Sequence, residues 1–271
     1  GIAGPVPPDH LLGLGGSAET DGGGTVRFTT AAPVVFADVH YLAQPAGGTF
    51  SVLADGKLLA EVPTLRAHKE SDFARVALPA STKQIELRAA GRVRLFGAAL
   101  EAARGVVVDN LGVVNASVLG ATANNLQEHW RTQLARRDAD LVIVMLGTNE
   151  AEWLVPGTPG MVDHERRVGQ LAATVRAAVP AASCLIVSPL DQVDYTAPGL
   201  PPRPSIPAIV DAQRRAATAA GCAFWDAYLW MGGAGASRTW FRGGLVANDF
   251  QHPTEAGSLR LAEALFAALV R

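Results

Sequence analysis

The chain has 271 residues, of which 49% are hydrophobic, and 23 Lys and Arg against 25 Asp and Glu leave a net charge of −2. This length allows one large domain or two small ones. The composition excludes a disordered chain and a coiled coil, and no apolar run approaches the roughly 20 residues that a bilayer crossing needs. The nearly balanced charge gives no general attraction to nucleic acid or anionic lipid, so we expect neither nucleic-acid binding nor membrane insertion.

Residues 1–104 are predicted to form a small all-β domain. Short alternating stretches in this part are separated by Gly, Pro and Asp, which is typical of strands and turns. The pair Asp55-Gly56 favours a two-residue hairpin turn. Seven short strands at this spacing indicate a β-sandwich. The predicted strands are Thr25–Thr30, Val34–Leu42, Thr49–Ala54, Lys57–Val62, Ala74–Leu78, Gln84–Arg88 and Val93–Leu100.

Residues 105–271 are predicted to form an α/β domain. Apolar strands here alternate with segments of helical period, which is the pattern of a parallel sheet covered by helices. The last helix follows Pro253-Thr254, a residue pair typical of a capped helix start. The predicted strands are Gly105–Asn115, Leu141–Leu146, Ala182–Val187 and Ala223–Trp225, and the predicted helices lie near Ala123–Arg136, His164–Val179, Pro204–Ala220 and Thr254–Val270.

Three loops of the α/β domain carry candidate catalytic groups, because functional residues of open parallel sheets gather where strands end. Gly120 follows the first predicted strand, and its N–H can approach a reacting oxygen, although a tight turn explains a glycine there equally well. Asn149 follows the second strand and can donate to an anionic oxygen or cap the next turn. Asp249 precedes His252 by three residues and can orient its imidazole, the alternative being a helix-capping Asp beside a surface His.

Taken together, these loops resemble the SGNH (GDSL-type) hydrolase superfamily. Val113–Thr122 is similar to its second block, Gly147–Glu150 to its third and Asp249–His252 to its fifth. The resemblance implies a flavodoxin-like three-layer α/β fold and a Ser-His-Asp acyl-enzyme mechanism without metal or cofactor. It implies that His252 is the general base and Asp249 its orienting partner, with the Gly120 N–H and the Asn149 amide as the oxyanion donors.

The first block of that superfamily, Gly-Asp-Ser before a helix, does not occur in this sequence, so the nucleophile is unassigned. Ser17 resembles that block only superficially, since a strand is predicted soon after it. Ser117 lies in the block that normally supplies an oxyanion donor. Both remain candidates.

Another origin for the nucleophile follows from a closer resemblance. Some members of the superfamily that remove acetyl groups from bacterial cell-wall glycans carry a carbohydrate-module-like, jelly-roll-like β-sandwich between their first and second blocks. Residues 1–104 occupy the position of that insert. The sequence also starts at Gly1 without an initiator Met, so we expect an upstream fragment of the same polypeptide to carry the first block, the alternative being a chain without a nucleophile.

The expected function is removal of O-acetyl groups from a polysaccharide or peptidoglycan, outside the cytoplasm, in an extracellular or periplasmic location. An acetylated carbohydrate or another small acyl ester is the expected substrate. One alternative is a thioesterase or lysophospholipase-like esterase with an apolar channel near Trp153, Tyr195, Trp230 or Trp240. The other is a carbohydrate-binding relative that has lost the reaction.

Cys184 and Cys222 are the two cysteines of the chain. Both lie in apolar runs that are predicted to be core strands, so we expect buried thiols rather than a disulfide or a reactive pair. Two cysteines cannot form a disulfide framework for a chain of this size.

Overall fold

The computed structural model describes residues 9–123 and 127–270, which divide into two compact units. The first unit contains the described chain up to Val114 together with helix α2 (Gln127–Arg137), and the second contains the other described residues. The predicted boundary after residue 104 therefore differs from the division of the structure.

Two four-stranded antiparallel sheets make up most of the first unit. Their orders are β1-β8-β3-β6 and β2-β7-β4-β5, where the strands are β1 (Ala18–Thr20), β2 (Gly23–Thr29), β3 (Phe36–Ala43), β4 (Thr49–Ala54), β5 (Lys57–Pro63), β6 (Glu70–Ala77), β7 (Gln84–Ala90) and β8 (Val93–Glu101). Val39 of one sheet and Phe50 and Ile85 of the other are fully buried in one core between the sheets. All seven predicted strands are present, and Asp55-Gly56 joins β4 to β5 with positive φ at both residues.

Helix α2 belongs with the sandwich, although the sequence assigned it to the α/β domain. Arg136 donates two hydrogen bonds, of 2.8 and 2.9 Å, to the buried carboxylate of Asp38 on β3. The ring of His129 lies 2.9 Å from the carbonyl oxygen of Leu12 and 2.7 Å from the hydroxyl of Ser71. These polar contacts depend on residues that are distant in sequence, so the helical period of α2 could not reveal them.

The second unit contains a three-stranded parallel sheet with helices on both faces. Its elements are α1 (Val118–Ala123), β9 (Leu141–Met145), α3 (Pro159–Ala178), β10 (Ser183–Val187), α4 (Ser205–Ala219), β11 (Ala223–Trp225), α5 (Ala227–Met231), α6 (Ala236–Arg242) and α7 (Glu255–Leu269), and the strand order is β11-β10-β9. Side chains of α3 and α4 pack with Leu146 and Phe224 on one side. Those of α7 pack with Leu185 and Val187 of β10 on the other side. Within the described residues, no helix is long and apolar enough to cross a bilayer.

The prediction of a strand over Gly105–Asn115 is wrong. The structure has no regular secondary structure there, and Val106 and Val108 are 91% and 84% exposed. An apolar run becomes a parallel strand only when a neighbouring strand offers its backbone groups, and this run pairs with no strand in the described parts of the chain.

The expectation of two free thiols is also wrong, because Cys184 and Cys222 form a disulfide. Cys184 lies on β10 and Cys222 directly precedes the neighbouring strand β11. This pairing brings the two Cα atoms to 4.8 Å, within the usual range for a disulfide, although the cysteines are 38 residues apart in sequence.

Candidate active site

Asp249 and His252 form a hydrogen-bonded pair in the loop before α7. Asp249 Oδ2 lies 2.7 Å from His252 Nδ1, and its Oδ1 accepts the backbone N–H groups of Gln251 at 2.9 Å and of His252 at 3.0 Å. Partial burial opposes ionisation of Asp249, but these hydrogen bonds outweigh it and lower the pKa of the carboxyl. The carboxylate favours the tautomer with the proton on Nδ1, which leaves Nε2 with a lone pair on an imidazole that is 69% exposed.

The start of α7 holds this loop in place. Thr254 caps the helix, because its Oγ1 accepts the N–H of Gly257 at 3.2 Å, which confirms the predicted capped start. The N–H of Thr254 donates to the carbonyl of Leu245, and the carbonyl of His252 accepts from the N–H of Ala247. Gly257 has to be a glycine, since an added Cβ would lie 1.9 Å from the Leu245 oxygen.

The turn after β9 places Asn149 at the carboxyl end of the sheet. Gly147 has φ +112°, and an added Cβ would lie 2.7 Å from Nε2 of Gln213. Two buried glutamines fix this turn, since Gln213 donates to the carbonyl of Leu146 at 2.8 Å and Gln192 to that of Thr148 at 3.0 Å. Sequence reasoning missed both glutamines, because they come from later elements and carry no local motif.

Asn149 and Glu150 together hold the segment that leads into α1. The Asn149 amide donates to the carbonyl of Ala116 at 2.8 Å, and Glu150 Oε1 accepts the N–H of Val118 at 2.5 Å. The amide has two N–H groups, so this contact still leaves one for a reacting oxygen. Glu150 is 1% exposed, and burial raises its pKa in spite of hydrogen bonds from backbone N–H groups. Sequence reasoning assigned no role to this carboxyl.

Gly120 lies inside helix α1 and not at the end of a strand, which corrects the predicted location. Its N–H donates to Ser117 Oγ at 2.9 Å. First-turn amides have no partner within the helix, so this N–H becomes available to another acceptor when the serine hydroxyl turns away. Ser117, one candidate nucleophile, therefore acts as the cap of α1 in this structure.

The other candidate nucleophile, Ser17, lies in the sandwich unit. It directly precedes β1, which pairs with β8, so a strand follows it and not a helix. Neither serine occupies the strand-to-helix turn that the resemblance requires, and the nucleophile remains unassigned.

Tyr195 lies within electrostatic range of both parts of the site. Partial burial is the main reason for its raised pKa, and the negative charges of Asp249 and Glu152 add to the effect. Glu152 belongs to the short 3-10 turn that begins directly after Asn149.

Two of the aromatic residues named for the predicted apolar channel contact each other. Trp240 is 5% exposed, and its ring centroid lies 5.5 Å from that of the partly buried Trp230. Trp153 and Tyr195 are 52% and 42% exposed.

The side chains of the two loops have the chemistry that acyl transfer needs. An imidazole with a free Nε2 can take a proton from a nucleophile, and an amide N–H can stabilise the oxyanion that forms. Within the described residues, no group of three or more His, Cys, Asp and Glu side chains could hold a metal ion. The α/β unit with this hydrogen-bonded His-Asp pair has the features of a hydrolase.

Comparison with known proteins identifies the family. The model of the GDSL-like lipase/acylhydrolase family matches residues 84–260, so the chain belongs to that family. A solved structure of a peptidoglycan O-acetylesterase is 25% identical, with a TM-score of 0.74 over 95% of this chain and 71% of that chain. The protein is thus a serine-type carboxylic ester hydrolase of the SGNH superfamily.

Two other solved structures are similar to the chain. An active-site mutant of a family two carbohydrate esterase from Clostridium thermocellum is 12% identical, with a TM-score of 0.43 over 94% of this chain and 93% of that chain. A catalytic mutant of an acetylxylan esterase from Geobacillus stearothermophilus is 18% identical, with a TM-score of 0.40 over 58% of this chain and 68% of that chain. Among curated proteins, none matches the chain.

Proposed function

We propose that the protein removes O-acetyl groups from peptidoglycan or a related acetylated polysaccharide. The observation that carries this proposal is the similarity to the peptidoglycan O-acetylesterase, which extends over 95% of the chain and so includes both units. In this proposal the first unit is an inserted carbohydrate-module-like, jelly-roll-like sandwich, and the second is a flavodoxin-like, three-layer hydrolase domain.

The proposed reaction is acyl transfer through an acyl-enzyme. A serine hydroxyl attacks the acetyl carbonyl carbon while His252 Nε2 takes its proton, and Asp249 stabilises the imidazolium. The Asn149 amide and the Gly120 N–H, released from Ser117, donate to the oxyanion. The imidazolium then returns its proton to the departing sugar hydroxyl. Water, deprotonated by the same imidazole, finally releases acetate and the free serine.

The serine is proposed to come from polypeptide outside these residues. Ser117 caps α1 and Ser17 precedes a sandwich strand, so neither lies in the strand-to-helix turn that the resemblance implies for the nucleophile. The matched O-acetylesterase supports this proposal, since the match covers 95% of this chain but only 71% of that chain.

Acetate release from O-acetylated peptidoglycan by the natural polypeptide tests the function. His252→Ala is expected to lower the rate by about 10³-fold or more, and Asp249→Asn to lower it strongly. His68→Ala is the matched control, because His68 is an exposed histidine of the sandwich unit.

The same assay separates the alternatives. Faster hydrolysis of long-chain acyl esters than of acetyl esters would indicate the thioesterase or lysophospholipase-like function. Glycan binding without acetate release would indicate the inactive relative.

We also propose an extracellular or periplasmic location. The Cys184–Cys222 disulfide supports it, because disulfides persist in oxidising compartments and are rare in the cytosol. Fractionation of the producing cells tests the location, and recovery of the protein only from the cytosol would contradict it.

A further inference from the structure

Phe250 lies between the two residues of the His-Asp pair and has an unusual backbone conformation. Its φ is +54°, in the left-handed region that glycine adopts freely and that Asn and Asp visit. A bulky residue is an outlier there, because its Cβ comes too close to the following carbonyl oxygen. Such conformations persist only where the surrounding structure holds them, and they cluster at functional sites. Part of the structure must therefore hold Phe250 in this conformation.

The positive φ of Phe250 brings Asp249 its hydrogen-bond partners. The N–H of Phe250 donates to the carbonyl of Ala247 at 3.0 Å. The chain then turns so that the N–H groups of Gln251 and His252 face one oxygen of the Asp249 carboxylate, at 2.9 and 3.0 Å. The other carboxylate oxygen lies 2.7 Å from His252 Nδ1. A change of residue 250 to negative φ would displace these N–H groups from the carboxylate, and the imidazole would lose its alignment.

The ring of Phe250 stacks on the ring of Phe241 in helix α6. The ring centroids are 4.5 Å apart, and the ring planes make an angle of 44°. Aromatic pairs at this separation are favourable beyond the area that they bury. The two rings meet while residue 250 keeps its conformation, so their contact favours the positive φ.

Helix α6 is a firm support for the Phe241 ring. At its start, the buried carboxylate of Asp191 accepts the N–H and the hydroxyl of Ser237 at 3.0 and 2.8 Å. Near its end, Trp240 is 5% exposed, and its Nε1 donates to the carbonyl of Met231 at 3.2 Å. Because buried contacts hold both ends of this short helix, Phe241 has little freedom to move.

We propose that Phe250 is a positioning residue of the His-Asp pair and that the ring of Phe241 holds it at positive φ. This inference rests on the proposed function, in which His252 is the general base. Phe250 acts through its backbone, which aims two N–H groups at the Asp249 carboxylate, and the carboxylate in turn orients the imidazole. Misplacement of a catalytic group by about 1 Å can cost about 10²-fold in rate, so a small shift of this loop has a large effect.

Alanine and glycine at position 250 separate this role from packing and from contact with the substrate. Both substitutions remove the ring, but only glycine adopts positive φ without a steric cost. The measurement is kcat/KM of the complete natural polypeptide with p-nitrophenyl acetate. Phe250→Ala is expected to lower it at least about tenfold, whereas Phe250→Gly is expected to stay within about threefold of the parent.

Phe266→Ala is the matched control for the loss of a ring. Phe266 is 66% exposed on α7, and this variant is expected to keep the parent value of kcat/KM. Equal losses with alanine and glycine at position 250 would overturn the proposal, because the ring would then act by packing or by touching the substrate. A parent value in Phe250→Ala would overturn it as well.

Substitution of Phe241 adds a rescue test. Phe241→Ala removes the support while Phe250 still requires it, so kcat/KM is expected to fall at least about tenfold. Adding Phe250→Gly to this variant is expected to restore kcat/KM to within about threefold of the parent, because glycine does not need the support. A double variant that is no faster than Phe241→Ala would contradict the proposal.

Crystal structures of the two position-250 variants of the complete polypeptide give a readout besides activity. The contact of Asp249 Oδ2 with His252 Nδ1, which is 2.7 Å in the parent, is expected to remain in Phe250→Gly. In Phe250→Ala it is expected to exceed hydrogen-bond distance. The same short contact in both variants would overturn the proposal.

Two substrates distinguish a failure of this inference from a failure of the proposed function. Hydrolysis of p-nitrophenyl acetate without acetate release from O-acetylated peptidoglycan would refute the function, and the expected order of the variants would still support the inference. Acetate release from peptidoglycan at the parent rate by Phe250→Ala would refute the inference alone.

Discussion

Replacing the buried carboxyl of Glu150 is the sharpest test of how the site is built. Glu150 Oε1 accepts the N–H of Val118, and both residues are 1% exposed. In Glu150→Ala this buried N–H loses its partner, at a cost of about 1–3 kcal/mol, and the packing of one methylene is lost, at about 0.8 kcal/mol. The variant no longer has to bury a carboxyl, which offsets part of these two costs. We therefore expect the free energy of unfolding to fall by about 2–3 kcal/mol.

Glu150→Gln is expected to behave differently, because an amide oxygen can still accept the Val118 N–H. We expect it to cost less than about 1 kcal/mol. Burial raises the pKa of Glu150, so the folded protein holds this proton more tightly than the unfolded chain. The stability from this group is therefore complete below the ordinary Glu pKa and falls as the pH rises through the raised value. The glutamine side chain does not ionise, so the free energy of unfolding of this variant should rise relative to that of the parent protein as the pH rises.

Urea unfolding of the parent and both variants, from about pH 4 to about pH 8, measures these differences. Glu152→Ala is the matched control, because Glu152 is exposed in the same short turn. The reasoning is refuted if Glu150→Ala unfolds within about 0.5 kcal/mol of the parent, or if the glutamine variant follows the parent at every pH.

Two further outcomes are expected. Asn149→Ala should lower acetate release by roughly a hundredfold, since an oxyanion donor contributes about 3 kcal/mol, and a loss below about threefold in steady-state rate would exclude that role. Replacing Cys184 and Cys222 together by Ala should lower the free energy of unfolding by about 4 kcal/mol in the chain-entropy model, because the disulfide closes a 38-residue separation. Urea unfolding of the parent with and without a reductant checks this second value, and equal midpoints would contradict it.

Local patterns were enough to predict most elements of the fold. The alternation of apolar and polar residues predicted seven of the eight sandwich strands. The three-residue strand Ala18–Thr20 was not predicted. Helical periods located α3, α4 and α7, and the residue pair Pro253-Thr254 indicated the start of α7. Two short helices, α5 and α6, were not predicted, because segments of five and seven residues hold too few turns to show a period.

The sequence by itself determined the parts of the site that depend on neighbours along the chain. An Asp three residues before a His can reach its imidazole within one turn, and the structure has that contact at 2.7 Å. The turn residues Gly147-Thr148-Asn149 likewise follow an apolar run directly along the chain, and β9 does end just before them, at Met145. The catalytic roles of these residues stay predictions.

Only the tertiary structure decided what depends on distant partners. The Cys184–Cys222 disulfide requires β10 and β11 to be neighbours, and the contact of Glu150 with Val118 spans 32 residues. The run Gly105–Asn115 has the composition of a strand and is not one, because a strand needs a second backbone to complete its hydrogen bonds. The composition of a segment shows whether it has apolar side chains to bury. Whether it forms a strand depends on which other segments lie beside it.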